Sequence, residues 1–371
     1  MPSINWPALL VAALLALAGG TLVACGDDDD GGGGGSTGAD EGGTVALLLP
    51  ESKTARYESQ DRPNFVNKLE ELCPDCELIY SNADQDAAKQ QQQAEAAITR
   101  GAEVLVLDPV DAASAGAIVQ RANQSDIPVI SYDRLITDAD IDYYISFDNE
   151  EVGRLQAQSL LDKLQEDGNG DGTIVMINGA PTDNNATLFK RGAHSVFDES
   201  DLTIGREYDT PDWSPDRAQQ EMEQAITALG RDGFDGVYAA NDGTAGGAIA
   251  AMKSAGIKPV NRPTTGQDAE LAAIQRILTG EQYMTVYKAI KPEAEAAAEL
   301  AVALVRGEDP PGDLVNDEVD NGQESVPSVL LEPVAVTRDN IDSTIVEDGF
   351  WTVQQICTPR YQQACQEAGI Q

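Results

Sequence analysis

The chain has 371 residues, with 24 Lys or Arg against 63 Asp or Glu, a net charge of −39, a single His and 42% hydrophobic residues. That length and apolar fraction fill about two ordinary cores and exclude wholesale disorder. The charge excludes a nucleic-acid partner, which requires a positive footprint, and one His excludes a multi-His metal site.

Residues Ala8–Ala18 form an apolar run too short for a comfortable membrane span, followed by Leu22-Val23-Ala24-Cys25. Residues 1–24 therefore read as a secretory signal, although the n-region up to Pro7 lacks Lys and Arg. Leu-Val-Ala-Cys resembles the lipobox of bacterial lipoproteins. The resemblance implies cleavage before Cys25 and a lipid on its sulfur, anchoring the protein at the extracytoplasmic face of the cell membrane. Residues 25–42, with Asp27–Asp30 and Gly31–Gly35, read as a flexible acidic tether.

Beyond it, apolar β-branched runs alternate with helical stretches. Predicted strands are Thr44–Leu49, Leu78–Ser81, Val104–Leu107, Pro128–Tyr132 and Tyr144–Phe147, with helices Phe65–Leu72, Ala87–Arg100, Ala112–Asn123 and Val152–Leu164. The rhythm restarts at strand Thr173–Ile177 and a helix from Ala186. Strand Ile204–Tyr208, helix Arg217–Leu229, strand Gly236–Ala240, helix Ala245–Ser254, strand Met284–Tyr287, helix Glu293–Arg306 and strand Val329–Val336 follow. Such alternation predicts an α/β protein of two Rossmann-like, doubly wound parallel-sheet lobes.

Polar residues cluster at strand ends, where ligands of open α/β sheets bind: Asp108, Asp133, Arg134, Asp148, Asn178, Asn241 and Asp242. Asp242 and Asn149 are the expected helix caps. No Walker A lysine follows a strand, and Gly243, Gly246 and Gly247 have the wrong spacing for a dinucleotide fingerprint, so close helix packing is the better reading.

Cys73 and Cys76, and Cys357 and Cys365, are two close pairs suited to disulfides in an oxidising compartment. Four cysteines allow three connectivities, and a four-thiolate zinc site or a Cys-x-x-Cys redox motif are the alternatives. Asp167, Asn169 and Asp171 have calcium-loop spacing, but position twelve is Asn178 rather than Glu. They form a weak calcium candidate against a plain Gly-rich turn, and no other cofactor is expected. His194 reads as a solvated helix residue.

Five segments carry a family resemblance: Ser131–Asp142, Tyr144–Glu150, Asp183–Ala186, Asn241–Ile249, and Gly266–Ala269 with Met284–Lys288. They are similar to the D-xylose-binding proteins of bacterial ABC importers, within the type I periplasmic sugar-binding proteins. The resemblance implies two lobes, 43–148 plus 284–328 and 149–283 plus 329–371, a three-crossing hinge with crossings near Asp148, Tyr283–Lys288 and Val326–Leu331, and a monosaccharide in the cleft. By it, Asp133, Arg134, Asn185, Asn241, Asp268 and Lys288 bond sugar hydroxyls, and Trp213 stacks on a sugar face. Arg56 and Tyr57 take the roles of a further donor and a second ring, with one residue inserted before Asp61-Arg62. The chemistry agrees, since a sugar needs planar polar groups at its edge and aromatic rings on its faces.

The expected activity is therefore capture of a monosaccharide, D-xylose first, and delivery to an ABC permease and its ATPase, by a non-enzymatic monomer tied to the membrane through its lipid alone. A subunit feeding a chemotaxis or kinase receptor is the alternative. A sugar-modifying enzyme using Asp133 and Asp268 is weaker, because neighbouring Arg and Lys would keep both ionised.

Overall fold

The computed structural model describes residues 42–370. The signal segment, Cys25 and most of the tether lie outside the described residues.

The first lobe contains β1 (Thr44–Leu49), α1 (Arg62–Leu72), β2 (Glu77–Asn82), α2 (Ala87–Thr99), β3 (Val104–Leu107), α3 (Gly116–Asn123), β4 (Val129–Tyr132) and β5 (Tyr143–Phe147). The second contains α4 (Asn149–Glu166), β6 (Thr173–Asn178), α5 (Asn184–Phe197), β7 (Thr203–Asp209), α6 (Pro215–Leu229), β8 (Gly236–Ala239), α7 (Asp242–Ser254), α8 (Leu271–Leu278) and β9 (Met284–Tyr287). The chain then returns through α9 (Ile290–Arg306), β10 (Asp317–Asp320) and β11 (Ser325–Leu331) to the first lobe. It ends on the second with β12 (Val334–Thr337) and the short helices α10 (Val353–Ile356) and α11 (Gln362–Glu367).

The first sheet has the order β10-β11-β5-β4-β3-β1-β2, parallel except for the β10–β11 pair. Side chains alternate across a strand, so β1 feeds two cores. Val45, Leu47 and Leu49 pack with Leu69 of α1 and Leu300 of α9, whereas Ala46 and Leu48 pack with Ala94 of α2 and Ile118 of α3. Burial on both faces is why these strands read as unbroken apolar runs.

The second lobe has β7-β6-β8, parallel, and the antiparallel pair β9–β12. Parallel bridges from Thr264 to Val237 and from Gln267 to Val286 join these two pieces through the segment that ends at Asp268. Gly247 shows why a helix here needs a glycine: a Cβ would stand 2.2 Å from the Pro215 carbonyl oxygen, where α6 and α7 cross.

Two lobe boundaries fall a few residues later than expected. The predicted strand Val329–Val336 is two strands in different lobes. β11 pairs with β5, and β12 with β9. Pro333 separates them, because proline supplies no ladder donor. Residues 329–331 therefore stay with the first sheet, and 284–287 stay with the second lobe. Helices α1, α5, α6 and α9 start up to a turn earlier than predicted, where polar or Pro residues occupy first turns that hydrophobic periodicity does not mark. Helix α8, with buried Ala273, Ile274, Ile277 and Leu278, was not anticipated.

The cysteines pair locally, Cys73 with Cys76 and Cys357 with Cys365, as two disulfides rather than a four-thiolate zinc site. Residues Asp167–Gly172 form a turn in which Gly172 N donates to Asn169 O at 3.0 Å and Lys163 engages the Asp167 carboxylate at 2.8 Å. Among the described residues no three His, Cys, Asp or Glu side chains converge as a metal set, and no helix is long and apolar enough to cross a membrane. His194 sits between Asp198 and Glu207, 3.1 Å from each, on the outer part of the second lobe rather than in the cleft.

Candidate functional site

The carboxyl ends of the strands in both lobes face one cavity. Arg56, Tyr57, Asp133 and Arg134 line it from the first lobe, Asn185, Trp213, Asn241 and Asp268 from the second, and Lys288 from the crossing between them. Every sugar-contact candidate is brought together there. The cavity also takes in Thr54, Asp183, Phe189 and Gln267. Its empty volume is about 280 Å³, counting the space at its open mouth. That is the scale of a small ligand of one sugar ring.

Arg56 and Tyr57 open a π-helical turn, Tyr57–Asp61, that runs directly into α1. A π turn absorbs an added residue without breaking the helix, which accommodates the insertion seen in this segment. It also folds Asp61 back onto Arg56: Nε and Nη2 donate to its two carboxylate oxygens at 3.0 and 2.6 Å. Glu293 of α9 accepts from the same Nη2 at 2.8 Å, and Nη1 faces Asp133 at 3.0 Å. Burial pulls the Arg56 proton affinity down, but Asp133, then Asp61 and Glu293, raise its pKa well above the usual value.

Asp133 ends β4 with φ 55°, a conformation uncommon outside glycine and concentrated at functional sites. Its carbonyl is held by Ser146 Oγ at 2.7 Å, Tyr144 Oη at 3.2 Å and Asn185 Nδ2 at 2.9 Å. Burial alone would raise the Asp133 carboxyl, yet Arg56, then Lys288 and Arg134, hold it at about 2. It is an anion at any physiological pH, fit to accept from hydroxyls and unfit as a general acid.

Arg134 donates Nη2 to the Tyr57 hydroxyl at 3.1 Å and faces Asp183 with Nε at 3.0 Å. Tyr57 lines the cavity, but both guanidiniums stand near its ring, 5.2 and 5.7 Å from the centroid, so its face is partly engaged by cations.

In the second lobe Asp183 caps α5, accepting from Asn185 N at 2.9 Å, and its other oxygen accepts from the Trp213 indole at 3.0 Å. Trp213 (φ 51°) packs edge-on to Phe189 and fills the place that a side chain at residue 179 would need: a Cβ on Gly179 would stand 2.0 Å from the ring. Asn241, not Asp242, caps α7. Its Oδ1 accepts from Thr244 N at 2.9 Å, leaving its amide nitrogen for the cavity. Asp242 is instead buried beneath, taking Gln282 Nε2 at 2.7 Å and Thr285 Oγ1 at 3.0 Å. Likewise Asp148, not Asn149, caps α4. Asn149 is needed inside, where its amide bridges Ser146 Oγ and Asn185 Oδ1, both at 3.0 Å.

Asp268 (φ 93°) and Asp133 face Lys288 Nζ from opposite lobes, each at 3.6 Å. Lys288 is thus an ammonium shared across the hinge. The residues that sequence reasoning missed had signals. Asp183 stands in the quoted Asp-Asn-Asn motif at an N-cap position. Phe189 lies one helical turn from Asn185, on the same face. Gln267 adjoins Asp268 and donates to it at 2.9 Å.

Residues 45–309 match the family described as the periplasmic binding protein domain. The D-xylose-binding periplasmic protein of Escherichia coli K12 is 39% identical over 310 residues, 82% of this chain and 90% of that protein. The multiple sugar-binding periplasmic receptor of Rhizobium radiobacter is 34% identical over 86% of this chain and 93% of its own. Among solved structures, an ABC transporter solute-binding protein of Clostridium phytofermentans with bound β-D-glucose superposes with TM-score 0.76 at 30% identity, covering 84% of this chain and 99% of that one.

Proposed function

The chain belongs to the periplasmic sugar-binding protein family, a family of binding proteins rather than enzymes, and from that premise we propose that it captures D-xylose in the cleft between its lobes and hands it to an ABC permease. The observation that carries this reading is the cavity itself. It is on the scale of one sugar ring, and both lobes line it with planar donors and acceptors already fixed by partners within the protein.

Hydroxyls of a pyranose are both donors and acceptors. Asp133 and Asp268 offer acceptors, while Arg134, Lys288 and the Asn241 amide offer donors, and bonds with one charged member contribute about 1.5–3 kcal/mol each. Trp213 and Phe189 supply the apolar walls that suit the C–H faces of the ring. Each cation already faces a carboxylate of the protein, which disfavours a sugar acid or phosphate over a neutral aldose. Preference for D-xylose draws support from the 39%-identical relative, which is named for that sugar.

Contacts from both lobes make closure part of binding, since the ligand stabilises the closed form by whatever contacts the open form lacks. Closed lobes then present a joint surface to the permease. The Leu22–Cys25 segment supports a lipid anchor at Cys25. Calorimetric titration with a panel of D-xylose, D-glucose, L-arabinose and D-ribose tests the assignment. Saturable one-to-one binding with D-xylose tightest is expected, and binding of none of them contradicts it.

A further inference from the structure

Asp268 and Ala269 both have positive φ, 93° and 49°, and neither is glycine. Two such residues in succession are costly unless the surroundings hold them. The main-chain donors of this turn are all taken within the second lobe: Asp268 N by Val286 O at 2.9 Å, Ala269 N by Thr285 Oγ1 at 3.2 Å, and Glu270 N by Asp242 Oδ2 at 2.9 Å. The Ala269 carbonyl is held from elsewhere. It accepts from the Trp351 indole Nε1 at 2.8 Å, 82 residues along the chain.

Trp351 belongs to the segment that follows β12, which the Cys357–Cys365 bond clasps. Its ring packs edge-on to Phe350, and Phe350 packs edge-on to Tyr287, the residue before Lys288. Tyr287 in turn donates its hydroxyl to Asp348 at 3.0 Å. One short stretch, 348–351, therefore backs both members of the Lys288–Asp268 pair. The same stretch reaches the first lobe, because Phe350 O accepts from Gln60 Nε2 at 3.3 Å within the turn that carries Tyr57. It lies behind the ligand-bearing turns of both lobes without lining the cavity.

We propose that Trp351 is a positioning residue of the cleft, its indole N–H holding the Asp268–Ala269 turn so that the Asp268 carboxylate meets the bound sugar. The inference rests on the sugar-binding reading and adds a residue that touches no ligand. Losing the N–H leaves the turn free to relax and withdraws Asp268 from its place.

The test is Trp351→Phe, which keeps an aromatic ring against Phe350 and removes the donor. Affinity for D-xylose and D-glucose is measured by calorimetry and sugar release by stopped flow, well below the unfolding transition. A loss of about three- to tenfold is expected, the worth of one neutral hydrogen bond, carried by faster release. The same substitution in an Asp268→Asn background is expected to cost little more, because the two act through one group. Unchanged affinity in Trp351→Phe overturns the proposal. So does a loss that adds in full to that of Asp268→Asn, which marks a general loosening of the fold. Wild-type protein that binds neither sugar overturns the underlying reading instead, so the two failures are distinct.

Discussion

Asn185 of the second lobe donates its side-chain amide to the main-chain carbonyl of Asp133 in the first, at 2.9 Å, and so ties the lobes together at the floor of the cleft. Its Oδ1 meanwhile accepts from Asn149, so the amide is oriented before any ligand contact. Asn185→Ala removes this tie and a proposed hydroxyl partner together. We expect at least a tenfold loss of sugar affinity by calorimetry, from the loss of about 1 kcal/mol or more per hydrogen bond. Small-angle scattering should show a more open average shape.

Trp213→Ala removes a wall of the cavity and the donor that faces Asp183. Affinity should fall by about a hundredfold or more, and stability by about 3 kcal/mol, the usual cost of a buried Trp→Ala change. Circular dichroism should still report a folded protein. Gly179→Ala should weaken binding through the same ring, since its new methyl occupies the indole's place.

The pH dependence of stability has a definite sign. Burial, then Asp268, raises the Glu270 carboxyl to about 7 against the opposing pull of Arg276. The folded state therefore holds this proton more tightly than the unfolded chain. The resulting stability is complete below the ordinary glutamate range near 4.5 and is lost as pH rises through 7. Denaturant titrations of Glu270→Gln should lack this decline relative to wild type. His194, raised by Glu207 and Asp198 against its burial, contributes with the same sign above 6.5 and stays in both proteins. Asp133 runs the other way: its contribution is present above about 4 and is lost only as pH falls through 2.

Replacing Cys357 and Cys365 with Ser frees a loop of eight residues' separation. Loop-closure entropy predicts a loss of about 2–3 kcal/mol. Calorimetry should show a lower unfolding temperature, and the loss should appear in wild-type protein under reducing conditions.

Much of this architecture was written in hydrophobic pattern. Val45–Leu49 and Val104–Leu107 announce parallel strands because both faces are buried. The chain's return between lobes was harder to read. Val329–Val336 looks like one strand, and only the pairing of its halves with β5 and β9 separates them. Asp133, Arg134, Asn185, Asn241 and Asp268 were legible because they stand near strand ends or helix starts within recognisable motifs, whereas Phe189, inside α5, was not. Asp183 and Asn241 show the limit of such reading, since each side chain both caps a helix and lines the cavity, and sequence assigns only one of the two. Trp351 was not legible at all: its partner is 82 residues away, and no local pattern points to it.

The central claim is that an intact sugar sits between the lobes, held by both. A crystal structure of the protein grown with D-xylose tests it most directly. We predict one pyranose in the cleft, bonded to Asp133 and Arg134 from one side and to Asn185 and Asp268 from the other, with Trp213 against its face. An empty cleft at saturating sugar, or a ring bound to one lobe alone, would contradict it.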